Sequence, residues 1–401
     1  MATWLEDLLD STKELEAPQK FFLWAGLATI SAIVKNNVWF DRFGAFDLVR
    51  VYPNLYVMTI APSGHGKGVP VALSKMLVDE VGGVRTISGR NSIESILQQL
   101  GNARTVPGRK GPQMDSTAYI ISGELSTALV RNPDSLTILT DLYDGQYNPT
   151  WSNTMKHTGI DKLEKPNVTL LGGLNDTHFN DMISAKEITG GFIARCQLVV
   201  SRERTVINDL LDPPERSIDI KGLAVYLKKL KELRGPFALD PEAKLLYRTW
   251  YKTFKPEHSH DKTGSAMRVR DHIWKVAQTI ALSREPELTL RRSDIETAMR
   301  LCLESTAKVE TITEGAGQSE MSVKQRVFLH ALLQAPGYRI SRTTVLRRCH
   351  GDFDAFDLKR LEETFFQGGI IKEPYSGRLE GMKDKDVIYE LTQRTIEDYL
   401  K

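Results

Sequence analysis

Apolar residues recur at helical spacing from about residue 3 to 35, with Ser11 or Thr12 as a candidate cap and FFLWAGLATISAIV as a second, strongly hydrophobic helix. Lys20 and Lys35 bound that run, which is too short to span a bilayer in comfort and is expected in a buried core. After a turn between Val49 and Asn54, LYVMTIA is a short, mostly apolar stretch of strand formers, the pattern of a parallel strand covered on both faces. The pattern then alternates: helix 69 to 80, helix 91 to 100, strand 117 to 122, helix 124 to 130, strand 167 to 172 and strand 197 to 201. Such alternation predicts a layered α/β domain. The segment GNARTVPGRKGPQM, 101 to 114, has Gly, Pro and basic residues without an apolar period and is expected to be a loop. Beyond the polar stretch ERTVINDLLDPPERS the pattern becomes helical from about 222 to 312. EGAGQSE, 314 to 320, resembles a linker, and the last stretch is patterned as three helices and a terminal hairpin.

Composition narrows the class. A chain of 401 residues exceeds one ordinary core and predicts about two to four packing units. Its 41% hydrophobic and 26% charged content is that of a folded globular protein. A net charge of +2 excludes a uniformly basic chain made to coat nucleic acid, so any such contact must come from local patches. Cys196, Cys302 and Cys349 are dispersed, odd in number and without a CxxC pair, which points to a reducing compartment and away from structural zinc. The acidic start MATWLEDLLDSTKELE lacks a basic n-region, so a cytoplasmic location without membrane insertion is expected.

The strongest chemical signal follows the first buried strand. Ala61-Pro62-Ser63-Gly64-His65-Gly66-Lys67-Gly68 is close to GxxxxGK[ST], in which backbone N–H groups surround phosphate oxygens and lysine reaches the terminal phosphates. Val69 and Pro70 then open a helix whose dipole favours an anion at this end. Pro62, Ser63, Gly64, His65, Gly66, Lys67, Gly68 and Val69 are therefore the candidate ATP-binding residues. Ala61 replaces the first glycine, and Gly68 stands where a hydroxyl would bind Mg²⁺. A second strand, AYIIS, ends in Gly123-Glu124, which places a carboxylate where water could be oriented for attack on a phosphate. Gly123 occupies the usual aspartate position, so the metal ligands stay open among Ser122, Asp141, Asp144 and water.

In their order, these segments resemble the AAA+ replicative helicases of phages, plasmids and integrated islands, a group with MCM-like cores. The resemblance covers roughly residues 15 to 310 and includes YPNLYVMTIAPSGHGKG, the strand ending in Glu124, LYDGQY, VTLLGGLND, GGFIARCQLVV and RVRDHIWKVAQTIAL. It implies a P-loop NTPase of AAA+ type with a layered parallel sheet: a helical N-terminal segment (1–48), the ATPase core (49–205), a helical lid (206–313) and a C-terminal winged-helix domain (320–401). It implies that Lys67 and Glu124 serve catalysis together with Asn175 as the sensor-1 polar residue. Arg195 is implied as an arginine finger completing a neighbour's site, and Arg268 as the sensor-2 arginine, with Arg270 its near competitor. It also implies a channel hairpin carrying Lys156, His157 and Lys162 toward single-stranded DNA.

Beyond Met321 the pattern reads as a winged helix, which the resemblance supports. Arg342, Arg347 and Arg348 lie in its densest basic cluster and are candidates for duplex contact. Asp352, Asp354, Asp357, Glu362 and Glu363 surround its third helix and would oppose DNA, which leaves protein docking open there. The implied activity is ATP-dependent DNA unwinding or translocation by a homo-oligomeric, hexameric ring in the replication of a mobile element, with ATP and Mg²⁺ as cofactors and a primase or other replication protein as partner. The alternative is an ATP-binding helicase loader or initiator that binds DNA without unwinding it.

Overall fold

Thr3 starts the first helix, α1 (Trp4–Ser11), with a capping box: its hydroxyl accepts the Glu6 N–H at 3.1 Å while the Glu6 carboxylate accepts the Thr3 N–H at 2.7 Å. The computed structural model describes residues 2–42, 50–89, 91–101, 105–108, 111–125, 135–145, 150–155, 159–175, 179, 191–201, 206–208, 217–254, 264–313 and 320–400. Ser11 and Thr12 do not cap the second helix. They finish the first, their hydroxyls donating back to the Leu8 carbonyl. Helix α2 (Gln19–Val34) has no side-chain cap, and burial holds it instead: every residue from Trp24 to Val34 is buried.

The chain then passes through β1 (Val38–Asp41), β2 (Arg50–Val51), β3 (Tyr56–Ile60), α3 (Gly68–Val81), β4 (Thr86–Ser88) and α4 (Ile93–Gly101). Residues 101 to 114, expected as a loop, contain an antiparallel pair, β5 (Thr105–Gly108) and β6 (Gly111–Met114), in register Thr105 to Met114. Backbone pairing makes this ribbon, and its Gly- and Pro-rich sequence has no apolar period to announce it. There follow β7 (Thr117–Ser122), α5 (Ser135–Tyr143), β8 (Thr150–Met155), β9 (Gly159–Glu164), β10 (Asn167–Leu174) and β11 (Cys196–Val200). The helix expected at 124 to 130 lies, beyond Leu125, outside the described residues. Next come α6 (Ile220–Lys231), β12 (Gly235–Pro236), β13 (Ala238–Leu239), α7 (Pro241–Thr253), α8 (Ser265–Arg284), β14 (Thr289–Leu290) and α9 (Arg292–Thr313).

Five strands make one all-parallel sheet in the order β11-β3-β10-β7-β4. Successive residues feed opposite faces, as the strand period requires. Val57, Tyr119, Ile121, Leu171 and Val199 pack with α2, α3 and α8 on one face. Met58, Ile120, Val168, Leu170 and Leu198 pack with α4, α5, Trp151 and Leu163 on the other. The protein is thus an α/β structure whose central sheet is covered on both sides. Buried hydroxyls tie the layers together. Ser74 of α3 lies 2.6 Å from Thr29 Oγ1 on α2 and 2.7 Å from the Tyr119 phenol on β7, and Ser31 meets Thr169 at 2.7 Å.

The chain divides into two compact units, Met1–Ala316 and Gly317–Lys401. The second contains α10 (Glu320–Leu333), β15 (Arg339–Ser341), α11 (Arg342–Arg348), α12 (Ala355–Gln367), β16 (Tyr375–Gly377), β17 (Asp386–Glu390) and α13 (Gln393–Leu400). Its helices enclose Phe328, Val345, Leu358, Leu361 and Phe365, and its antiparallel sheet runs β15-β17-β16. The expected hairpin is present, and α13 beyond it is an addition to the sequence reading. Among the described residues no helix is long and apolar enough to cross a membrane, and the three cysteines are buried and free.

At Gly173 two segments approach closely: a Cβ there would fall 2.4 Å from the Gly123 carbonyl oxygen. Gly173→Ala is expected to destabilise the protein by about 1–3 kcal/mol through overpacking. A Cβ at Gly123 meets nothing within 4 Å, so Gly123→Ala is expected to change stability by only ~0.5 kcal/mol. Urea denaturation of the two variants checks the contrast.

Candidate functional site

Strand β3 delivers the chain to the carboxyl edge of the sheet, where a ligand is expected in an open parallel α/β fold. The turn that follows is shaped by Gly64 and Gly66, with φ of 80° and 67°. A side chain at Gly66 would be strained in that conformation and would also press within 3.0 Å of Ala17 Cβ. Gly68 begins α3 and lines the same space, while the Val69 N–H is taken up by the Gly66 carbonyl at 3.0 Å. Pro70 is tolerated there because its missing N–H lies in the first turn.

A cleft of about 240 Å³ opens at this edge, lined by Ser63, Gly64, His65, Gly66, Lys67, Gly68, Gly123, Glu124, Gly173 and Asn175. Strand order explains the convergence. β10 lies between β3 and β7, so the residue after it, Asn175, emerges between the glycine-rich turn after β3 and Glu124 after β7. The Gly172-Gly173 pair lets the Gly123-Glu124 turn settle over β10, fastened by the Leu125 N–H donating to the Gly173 carbonyl at 2.9 Å. The Lys67 ammonium donates to the carbonyls of Ala61 and Pro62 at 2.6 and 2.8 Å, which holds it at the mouth of the turn. Glu124 is exposed to the cleft, and its N–H donates to Ser122 Oγ at 3.3 Å.

This surface fits a polyphosphate: a helix N-terminus, two left-handed glycines and a lysine face one carboxylate and one amide. For a divalent cation the fit is narrower. Added Cβ atoms at Gly68 and Gly123 would meet nothing within 4 Å, so the usual metal-binding side chains are missing for reasons other than space. Asp144, weighed as a substitute ligand, stands at the amino edge of the sheet beside Arg195, away from this cleft. Asp141 is excluded on the same ground. It sits in α5 between Leu139, whose carbonyl accepts from the Tyr56 phenol at the start of β3, and Tyr143, whose carbonyl accepts from Asn54. Ser122 ends β7 at the carboxyl edge next to Glu124, and among the described residues Ser63 and Asn175 also bring side-chain oxygens to the cleft.

Arg195 and Arg268 are not part of the cleft. Arg195 immediately precedes β11, whose Cys196 pairs with Tyr56, and the rise from Tyr56 to Ile60 separates it from the glycine-rich turn by ~13 Å of strand. It is buried; its Nε donates to Asp144 Oδ2 at 3.0 Å, its Nη2 to the same oxygen, and its Nη1 to the Gly191 carbonyl at 2.8 Å. Arg268 Nη1 approaches that carboxylate at 3.8 Å. Arg270, the competing sensor candidate, instead donates to the Tyr251 phenol at 2.7 Å.

The neighbourhood of Asp144 contains residues that carried no functional signal in the sequence. The buried Lys275 ammonium donates to Asn54 Oδ1 at 2.5 Å and the Tyr52 carbonyl at 3.1 Å, and lies 4.4 Å from the Tyr143 ring centre. Burial brings its pKa down to about 8, with Asp144 and Asp271 pulling the other way. His272, 2.5 Å from Gln197 Nε2, is pushed down to about 3, first by burial and then by Lys275, Arg268 and Arg195.

Of the hairpin candidates, Lys156 and His157 lie outside the described residues. Lys162 belongs to β9, which pairs with β8 in register Met155 to Gly159. In the second unit Arg347 and Arg348 are exposed in the last turn of α11, and Arg342, half-buried, opens that helix. Three acids that stood against a DNA contact have internal partners. Asp354 caps α12, Asp357 pairs with Lys324 at 2.7 Å, and Glu362 accepts the Tyr389 phenol at 3.0 Å. No protein-family model and no curated protein matches this chain.

His272 gives the first unit a defined acid sensitivity. Its folded pKa lies below the unfolded value of ~6.5, so between the two the unfolded chain binds more protons and stability rises with pH. The contribution is complete above the unfolded value and is lost as pH falls toward about 3. His272→Gln is expected to flatten the fall in denaturation midpoint between pH 7 and pH 4, measured in urea; an unchanged slope would contradict the assignment.

Proposed function

We propose that this protein is a P-loop ATPase of AAA+ type that works on DNA as a ring, as a helicase or translocase. The observation that carries the reading is the convergence of Lys67, Glu124 and Asn175 on one cleft at the N-terminus of α3. The glycine-rich turn and helix end bind the triphosphate, Lys67 exchanges its carbonyl partners for phosphate oxygens, and Glu124 orients the attacking water while Asn175 holds it against the terminal phosphate. Mg²⁺ would neutralise phosphate charge when bound, and Glu124, with Ser122 beside it and Asn175 and Ser63 in the cleft lining, would hold it or its waters.

Arg195 and Arg268 stand at the opposite edge, where they cannot serve the cleft of their own chain. A second copy that places its carboxyl edge against this amino edge gives both arginines a terminal phosphate to stabilise, which supports a closed, head-to-tail ring. In the second unit the order α10, β15, α11, α12, β16, β17 supports a winged helix, with Arg347 and Arg348 on duplex phosphates. The β8–β9 ribbon supports a hairpin directed at single-stranded DNA. A second reading, an ATP-dependent loader or initiator that does not unwind, is favoured by Gly68 and Gly123, which lack the usual metal-binding side chains.

Magnesium-dependent ATP hydrolysis with and without single-stranded DNA tests the proposal. Lys67→Ala is expected to weaken ATP binding about 10- to 100-fold, the loss of a charge-assisted contact. Glu124→Gln is expected to keep binding and to lose turnover by about two to four orders of magnitude. Strand displacement on a forked duplex separates the two readings: DNA-stimulated hydrolysis without displacement supports the loader. Arg347→Ala and Arg348→Ala are each expected to lower the slope of log affinity against log salt by about 1; an unchanged slope would remove these residues from the DNA contact.

A further inference from the structure

Two arginines from distant parts of the chain meet on one carboxylate. Arg195, at the foot of β11, makes two of its bonds to Asp144 Oδ2, and Arg268, in the first turn of α8, faces the same oxygen at 3.8 Å. The carboxylate is itself held. Tyr143, its chain neighbour, is fixed through its carbonyl by Asn54 Nδ2 at 3.1 Å and through its ring by the Lys275 ammonium, which in turn bonds Asn54. Lys275 and Arg268 lie two turns apart on α8, so one helix brings both an arginine and the cation that braces its carboxylate partner.

The charges explain why such a part is needed. Two guanidinium groups side by side repel, and with Arg195 buried that repulsion is weakly screened. Asp144 between them cancels it and still leaves the cluster with excess positive charge. Arg195 is also restrained by the Gly191 carbonyl, which leaves part of its fork, and the half-exposed Arg268, for an incoming anion.

We propose that Asp144 is a positioning residue that sets Arg195 and Arg268 as one paired clamp for the terminal phosphate of a neighbouring copy's nucleotide. The proposal rests on the shared-site reading above. Asp144 acts on the arginine side of the interface and contributes nothing to the cleft of its own chain, which gives it a complementation class that a merely structural ion pair would lack.

The experiment uses full-length protein. Asp144→Asn is expected to lower kcat about 10- to 100-fold, the scale of a misplaced catalytic group, while the KM for ATP stays within about twofold. Asp144→Glu, which keeps the charge and shifts the guanidinium groups by a methylene, is expected to fall between wild type and Asp144→Asn. Mixed with Glu124→Gln subunits, Asp144→Asn subunits are expected to regain turnover, because their intact clefts meet intact clamps. Mixed with Arg195→Ala subunits they are expected to regain none, because every clamp is then damaged. A kcat within twofold of wild type, or failure to regain turnover with Glu124→Gln where Arg195→Ala does regain it, overturns the role given to Asp144. If Arg195→Ala also fails with Glu124→Gln, the shared-site reading is at fault and the proposal falls with it. Should Asp144→Asn fail to fold, Asp144→Glu takes its place in the same mixtures with the same expected and overturning results.

Discussion

The parallel hydrogen bonding of β10 between β3 and β7 is the constraint on which the rest of the first unit depends. Register fixes which residue ends each strand, and three ends become one site: the glycine-rich turn, Glu124 and Asn175. The arrangement requires the turn after β7 to lie almost on the backbone of β10. Gly172 and Gly173 make that approach available, since a Cβ at 173 would come within 2.4 Å of the Gly123 carbonyl oxygen. A pair of glycines inside a buried strand, otherwise a weakness in a sheet, is here the condition for bringing a carboxylate beside the glycine-rich turn.

The same register separates two kinds of chemistry. Carboxyl ends of the strands carry small, backbone-rich groups suited to an anion, whereas the amino ends carry a dense set of ionised and aromatic side chains around Asp144. Buried cations are costly unless paired, and each here has its partner: Arg195 has Asp144 and Gly191, and Lys275 has Asn54, Tyr52 and the Tyr143 ring. The outcome is an amino edge whose arginines are held by partners within the same chain. Helix α2 supplies the floor of both halves, since it packs on the sheet and against α3 and α8 and ties Ser74 and Thr169 by hydroxyl contacts.

In the second unit, charge is arranged so that much of the acid surrounding α12 is spent internally. Asp354 stabilises the helix start, Asp357 is held well ionised by Lys324, and Glu362 serves Tyr389. Arg347, Arg348, Lys359 and Arg360 are left exposed to solvent. A tally of charges along the chain could not make this distinction, because it depends on which carboxylates find partners in the fold.

Elements set by local chemistry were legible in the sequence. Strand 117 to 122 stands where its apolar run placed it, and the helix after the glycine-rich turn begins and ends within a residue of its expected bounds. Backbone preference, side-chain period and turn chemistry act over a few residues, so a short window contains the information. The β5–β6 ribbon escaped notice because its stability lies in pairing between two segments with no pattern of their own. The cap expected at Ser11 or Thr12 was displaced because a buried helix such as α2 is held by its packing. The chain by itself determined a parallel α/β core and a glycine-rich turn opening a helix. Only the tertiary structure decided that Asp144 belongs to two arginines rather than to a metal, because electrostatic partnership is set by distance through space.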